Sequence, residues 1–246
     1  MSLARLRVGL LVLLIVIGAA AVALTVARRP PVPPPPRAVG DRPVLLLLTS
    51  LPLVFGEQFS IEGGGSPTLR ALETRYRVVP ISVTDWSELA KGRLLLMAHP
   101  RAQSADDLVA LDQWVRRGGR VLLLADPMLE WPSDRPLGDP LRPPPMFADT
   151  GLLGHWGLKL DALDQRGPVS VGGGHNPIVF VSPGRLVATK PGCQLSRANI
   201  VADCKIGRGR ATIIADADFL NPEAFGKLAE HNLDALLGEL AGLERD

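Results

Sequence analysis

The chain has 246 residues, of which 46% are hydrophobic and 4% aromatic, and its formal charge is +2 at pH 7. It is long enough to bury a substantial core, and its charge is too near neutrality to indicate binding to nucleic acid. The few aromatic side chains do not alternate with Lys or Arg, which argues against a surface on which bases or sugars stack. We therefore expect a globular protein with no nucleic-acid partner.

The first 27 residues predict a membrane anchor. Residues 8–27 contain no charged side chain and follow two arginines, and about 20 apolar residues are enough for a helix to cross a bilayer. We predict a single-pass protein of the inner (cytoplasmic) membrane that contacts the lipid bilayer through residues 8–27, with the bulk of the chain outside the cytoplasm. The alternative is a cleaved secretory signal, because the small residues at 21–23 suit a signal peptidase.

A proline-rich stalk follows at residues 28–43, with the sequence RRPPVPPPPRAVGDRP. Its prolines favour an extended polyproline II conformation, which acts as a semi-rigid spacer. A docking ligand is the other use of such a run. The position between the membrane segment and the folded part favours the spacer.

Residues 44–246 predict one α/β domain. Apolar runs of strand length alternate with helices that begin at Ser66 and Ser104, each a residue type that caps a helix. Gly118-Gly119 ends the second helix. Strands that are apolar on both faces predict a mostly parallel sheet covered on both sides, a three-layer sandwich. The first four strand sequences are VLLLLT, RVVPIS, RLLLMAHP and RVLLLADP. The chain ends with a fifth strand, GRATIIADADFL, and a helix, NLDALLGELAGL.

The middle of the chain, residues 128–209, predicts an irregular β-rich insertion. It holds a short helix ending at Gly157 and short β-like runs that we expect to form antiparallel strands beside the main sheet. Cys193 and Cys204 lie in this segment, and an even cysteine count in an exported domain favours a disulfide over two buried thiols. No second pair of ligands stands nearby for a metal.

Two strands end in aspartates, at Asp126 and at Asp216 with Asp218, and the ends of parallel strands often carry chemistry. A P-loop NTPase is excluded because the sequence has no G-x-x-x-x-G-K-[ST] loop. A phosphatase would need further acids and lysines from later strands, and few residues remain after Asp218. A nucleophile elbow is excluded at the fourth strand, because its tip reads Ala-Asp-Pro-Met with no Cys or Ser.

Several segments together resemble a known family. They are LLLMAHPRAQSADDLVALDQWVRRGGRVLLLADP, GLLGHWGLKLD, and IGRGRATIIADADFLN with NLDALLGELAGL. They are similar to the extracytoplasmic domain of GldG-like auxiliary proteins of ABC-type transport systems, over most of residues 44–126 and 207–243. The resemblance implies a fold like class I glutamine amidotransferases or flavodoxins, a non-enzymatic role without a cofactor, and ABC permease and ATPase subunits as partners.

The candidate site residues have two interpretations. Asp126 and Asp216 either cap turns by accepting loop N–H groups, or help to line a ligand pocket at the strand tips. That pocket would use Ser50, His99, Asp126, Asp216 and Asp218. The alternative function is a hydrolase or metal-dependent enzyme built on the three aspartates.

Two further features are interpreted as structural. We expect His155, His175 and His231 to be turn or surface residues. The glycine run GGGSP at 63–67 predicts a surface loop rather than a phosphate-binding turn, because the 12 residues 51–62 intervene between it and the first strand.

Overall fold

The computed structural model describes residues 34–54, 65–161, 163–172, 177–226 and 231–245. The predicted anchor at 1–27, the first part of the stalk, His175 and the first two glycines of GGGSP lie outside the described residues. Across those five described ranges, no helix is both long enough and apolar enough to cross a membrane.

A seven-stranded sheet forms the centre of the domain, in the order β2-β1-β3-β4-β11-β10-β9. The first five strands are parallel, and β10 and β9 are antiparallel to their neighbours. The prediction of a mostly parallel sheet is therefore confirmed. The sheet strands are β1 Val44–Thr49, β2 Arg77–Pro80, β3 Leu94–Ala98, β4 Arg120–Leu124, β9 Cys193–Ser196, β10 Val201–Ile206 and β11 Gly209–Ile214.

Four further strands form two separate ladders. Strand β5 (Leu158–Asp161) pairs antiparallel with β8 (Arg185–Ala188), and β6 (Pro168–Val171) with β7 (Ile178–Val181). These ladders lie within the segment in which the sequence predicts an insertion. Strands β9 and β10 come from the same segment but extend the main sheet.

Helices cover both faces of the sheet. They are α1 Pro67–Glu73, α2 Trp86–Leu89, α3 Ala105–Arg116, α4 Leu152–Trp156, α5 Pro222–Phe225 and α6 Asn232–Arg245. One core joins alternate strand residues such as Leu47 and Leu124 to α1 and α6. The other joins the opposite set, such as Leu46 and Leu123, to α2, α3 and α4. Because both faces of each central strand are buried, the strands read as unbroken apolar runs.

The helix boundaries follow the predicted capping residues. The side chains of Ser66 and Ser104 accept the backbone N–H groups of Leu69 and Asp107, which satisfies donors that a helix start leaves unpaired. Gly118 ends the turn after α3 with a φ of 116°, a conformation that suits glycine.

The predicted disulfide is present. Cys193 and Cys204 face each other on β9 and β10 and are bonded, and they are 11 positions apart in sequence. The bond ties the edge strand β9 to the rest of the sheet.

We expect the double change Cys193→Ser with Cys204→Ser to lower the free energy of unfolding by about 3 kcal/mol, the value for closing a loop of this length in the unfolded chain. Urea unfolding of both proteins measures the loss. Wild-type protein unfolded under reducing conditions should show the same loss, and an unchanged midpoint would contradict the prediction.

Candidate functional site

The first part of the candidate site lies at the carboxyl ends of β1 and β3, where the order of the strands reverses. In doubly wound sheets ligands bind at such a switch point. The hydroxyl of Ser50 donates to the carbonyl of His99 at 2.5 Å, and the hydroxyl of Thr49 donates to the carbonyl of Ala98 at 2.9 Å. Both predicted residues, Ser50 and His99, are therefore adjacent in the structure.

His99 is fully buried and held in an uncommon backbone conformation, with a φ of 48°. Its Nε2 lies 2.8 Å from the carbonyl oxygen of Pro144, so Nε2 must carry the proton that it donates. Burial lowers the pKa of His99 and favours the neutral ring. The other nitrogen, Nδ1, is then an acceptor, and it is buried with no hydrogen-bond partner among the described residues.

The second part lies at the ends of β4 and β11, where Asp126 is fully buried. One carboxylate oxygen accepts the N–H of Met128 at 2.8 Å, and the other accepts the N–H of Ala217 at 2.7 Å. The first contact closes the turn after β4, and the second ties that turn to the turn after β11. This is the turn-capping geometry that the sequence predicts for Asp126.

Asp216 and Asp218 make similar contacts. Asp216 accepts the N–H of Phe219 at 2.8 Å and the N–H of Val181 at 2.6 Å, which joins β7 to the end of β11. Asp218 accepts the N–H of Glu130 at 2.6 Å. Together, the three aspartates bind loops to the carboxyl end of the sheet.

Burial disfavours the charged form of all three carboxyl groups. It raises the pKa of Asp126 to about 6 and that of Asp218 to about 7, and it holds the pKa of Asp216 well above its usual range. The negative charge of Asp126 adds to the effect on both neighbours. At neutral pH this group of carboxyls therefore retains protons that exposed aspartates would release.

The arrangement limits the chemistry that these acids can perform. Both carboxylate oxygens of Asp126, and both of Asp216, already accept a backbone N–H. Pro127 has no N–H that could stabilise an oxyanion. Within the described part of the chain, no group of three or more His, Cys, Asp or Glu side chains is placed to hold a metal ion. The ligand-binding role of the five residues stays a prediction.

Sequence reasoning missed two polar residues that organise this end of the domain. Ser182, with a φ of 50°, donates its hydroxyl to Glu130 and accepts the N–H of Gly167. Asn232, at the start of α6, is fully buried. Its side chain accepts from the N–H of Val179 and donates to that residue's carbonyl, so it completes the edge of β7. An Asn at the start of a helix is usually a capping residue, so the sequence gives no sign that Asn232 binds the distant backbone of Val179.

We expect Asn232→Ala to lower the free energy of unfolding by about 2 kcal/mol, because the change leaves a buried N–H and a buried carbonyl of Val179 unpaired. Thermal unfolding measures the effect. The exposed Asn199 offers a matched control, since Asn199→Gly, at a φ of 65° that glycine adopts readily, should change the midpoint little. Equal losses in both variants would contradict the prediction.

The strand order β2-β1-β3-β4-β11 defines the class: a doubly wound α/β domain. Residues 42–162 match the family of ABC-type uncharacterized transport systems. This match, over 121 of the 246 residues, supports an auxiliary protein of ABC-type transport systems, and the predicted resemblance is confirmed at this level. A comparison with curated protein sequences finds no match.

Solved structures include one whose similarity supports the type of fold, the mmIFT52 N-terminal domain. The mmIFT52 N-terminal domain is 15% identical, with a TM-score of 0.54, over 80% of this chain and 97% of that one. A cytoplasmic protein of Salmonella typhimurium, STM3548, is 11% identical with a TM-score of 0.49, over 82% and 98%. An exo-β-1,4-mannosidase of Opitutaceae bacterium strain TAV5 is 13% identical with a TM-score of 0.48, over 82% of this chain, which spans 36% of the mannosidase. At 15% identity, the likeness to the mmIFT52 domain concerns the fold alone.

Proposed function

We propose that this protein is a membrane-anchored, extracytoplasmic and non-enzymatic component of an ABC-type transport system, of the GldG-like kind, which works by binding or assembly with permease and ATPase subunits. The family match supports the association with a transport system. The anchorage is the prediction from residues 8–27. The disulfide supports a location outside the cytoplasm, because such bonds persist in oxidising compartments.

The observation that carries the non-enzymatic role is the use made of the strand-tip acids. In Asp126 and Asp216, both carboxylate oxygens accept backbone N–H groups, and the donors lie in turns and in β7, up to 91 residues away in sequence. A catalytic carboxylate needs a free oxygen that can reach a substrate, a water or a metal ion. These two side chains instead fix the turns after β4 and β11 and the end of β7, which is a structural task.

Affinity purification of the tagged full-length protein in mild detergent, with mass spectrometry of the proteins that accompany it, tests the proposal. We expect an ABC ATPase and a multi-span permease in stoichiometric amounts. The matched bait is Asp218→Asn, which keeps an oxygen to accept the N–H of Glu130 but removes an ionisable carboxyl; it should recover the same partners. A single pure band from both baits would refute the association.

A hydrolase is the second candidate, and one observation favours it. The carboxyls with raised pKa values and the unpaired Nδ1 of His99 lie at the end of the sheet where α/β enzymes act. On this alternative, Asp218→Asn would abolish the function of the protein in the cell while the protein still folded and kept its partners. Retained function in that variant would eliminate Asp218 as a catalytic acid.

A further inference from the structure

Basic side chains meet at the amino-terminal edge of the sheet, opposite the strand-tip acids. The turns before β3, β4 and β11 bond to one another there. The N–H of Arg120 donates to the carbonyl of Arg93 at 2.9 Å, and the N–H of Arg208 donates to the carbonyl of Arg116 at 3.0 Å. Three separate segments thus form one surface. We call it the basic edge and define it as Arg93, Arg116, Arg117, Arg120, Lys205 and Arg208.

Most of this positive charge has no internal counter-ion. Arg116 pairs with Asp112 at 2.7 Å. The guanidinium of Arg120 donates to the backbone carbonyl of Gly118, a neutral group. Arg93, Lys205 and Arg208 are exposed, and in the described ranges no carboxylate lies within ion-pair distance of them. The basic edge therefore presents a positive field to whatever lies beside it.

A cavity of about 530 Å³ opens in the same edge, and Arg93 and Arg120 line it. The other two charged residues that line the cavity, Lys91 and Glu244, already have partners of opposite charge. Lys91 pairs with Glu88 at 2.5 Å, and Glu244 receives two hydrogen bonds from Arg37, at 2.8 and 3.1 Å. The uncompensated charge in the cavity is therefore that of two guanidinium groups, which bind phosphoryl oxygens in a fork.

The chain joins the domain beside this cavity. Pro43, directly before β1, is one of the lining residues. The preceding segment is fixed to the domain, because Arg37 pairs with Glu244 and Arg75 donates to the carbonyl of Pro35. The predicted anchor ends at residue 27, so residues 28–33 are all that separate it from the described chain, a reach of at most about 25 Å. The stalk therefore leads from the membrane to the basic edge.

We propose that the basic edge and its cavity bind the phosphate of an anionic phospholipid headgroup in the membrane that carries the anchor. The inference rests on the proposed anchorage. A free phosphate ion offers the same oxygen atoms, but a surface of six cations spread over three turns matches a layer of headgroups. Each cation near such a layer contributes about 1 kcal/mol, and salt weakens the contact.

Hydrogen exchange of the full-length protein in lipid nanodiscs tests the proposal. The nanodiscs contain phosphatidylcholine alone or phosphatidylcholine mixed with phosphatidylglycerol. We expect the amides of residues 91–94, 116–121 and 204–211 to exchange at least about tenfold more slowly with phosphatidylglycerol present, in keeping with the contribution of several cations. The double change Arg93→Glu with Arg208→Glu should remove this protection. Arg166→Glu, at an exposed site beside Gly167 and the carboxyl-end loops, should retain it.

Two further measurements separate the possible outcomes. Inorganic phosphate added to the full-length protein in neutral detergent should leave the exchange of the same amides unchanged, and protection by phosphate with none by phosphatidylglycerol would overturn the lipid assignment. Alkaline treatment reports separately whether the protein is inserted, because an inserted protein stays with the lipid at high pH. An inserted protein without lipid-dependent protection refutes only this inference, whereas a protein that is not inserted refutes the anchorage as well.

Discussion

Lowering the pH from 7 to 5 should stabilise the domain, by up to about 4 kcal/mol from Asp126 and Asp218 together. Their pKa values of about 6 and 7 in the folded protein exceed the value near 3.9 of an unfolded aspartate. The folded state therefore holds more protons, and this stability is present at acidic pH and is lost as the pH rises through 6 and 7. Urea unfolding at pH 5, 6 and 7 measures the change.

His99 acts in the opposite sense, because its lowered pKa makes stability fall as the pH drops through that value. The variant Asp218→Asn isolates the aspartate contribution. It should be more stable than the wild type at pH 7, more stable by a smaller margin at pH 5, and less than half as sensitive to pH. A variant that loses stability equally at every pH would show that the Asp218 carboxyl does not titrate as described.

Gly209→Ala should lower the free energy of unfolding by about 4 kcal/mol, which is more than the roughly 1–3 kcal/mol usual for overpacking. A Cβ at this position would lie 2.0 Å from the carbonyl oxygen of Val115 and 2.4 Å from that of Gly119. Both are backbone atoms, at the end of α3 and the start of β4, so no side chain can rotate to make room. Thermal and urea unfolding measure the loss.

Gly242 provides the matched control. It lies inside α6, and a Cβ added there would meet no atom within 4 Å. Gly242→Ala should therefore stabilise the protein by up to about 1 kcal/mol, because alanine favours the helix and restricts the unfolded chain. Equal losses in the two variants would contradict the close approach at Gly209.

Local signals in the sequence predicted much of the architecture. The apolar runs located the central strands, and Ser66 and Ser104 marked the starts of α1 and α3, because these features depend on neighbouring residues. The disulfide could also be predicted. The place of β9 and β10 in the main sheet could not, because short strands with mixed burial carry a weak pattern.

The candidate site was predicted in part. The chain position of Asp126 and Asp216 indicated turn capping, but their partners Ala217 and Val181 come from distant segments that only the fold brings together. The basic edge was missed for the same reason. Its cations occur in three short groups separated by more than 20 residues, and a chain charge of +2 conceals their convergence.

The edge strand β2 has a consequence for self-association. The N–H group of Arg77 donates to Pro43, directly before β1, and that of Ile81 donates to Leu47 in β1. Successive residues of a strand alternate in direction, so the N–H groups of positions 78 and 80 face outward. Pro80 has no N–H, which leaves Val78 as the one residue of β2 whose N–H faces outward. A second chain that approached this side would find too few donors to add a strand. Copies held at high density should therefore not join their sheets through the β2 edge.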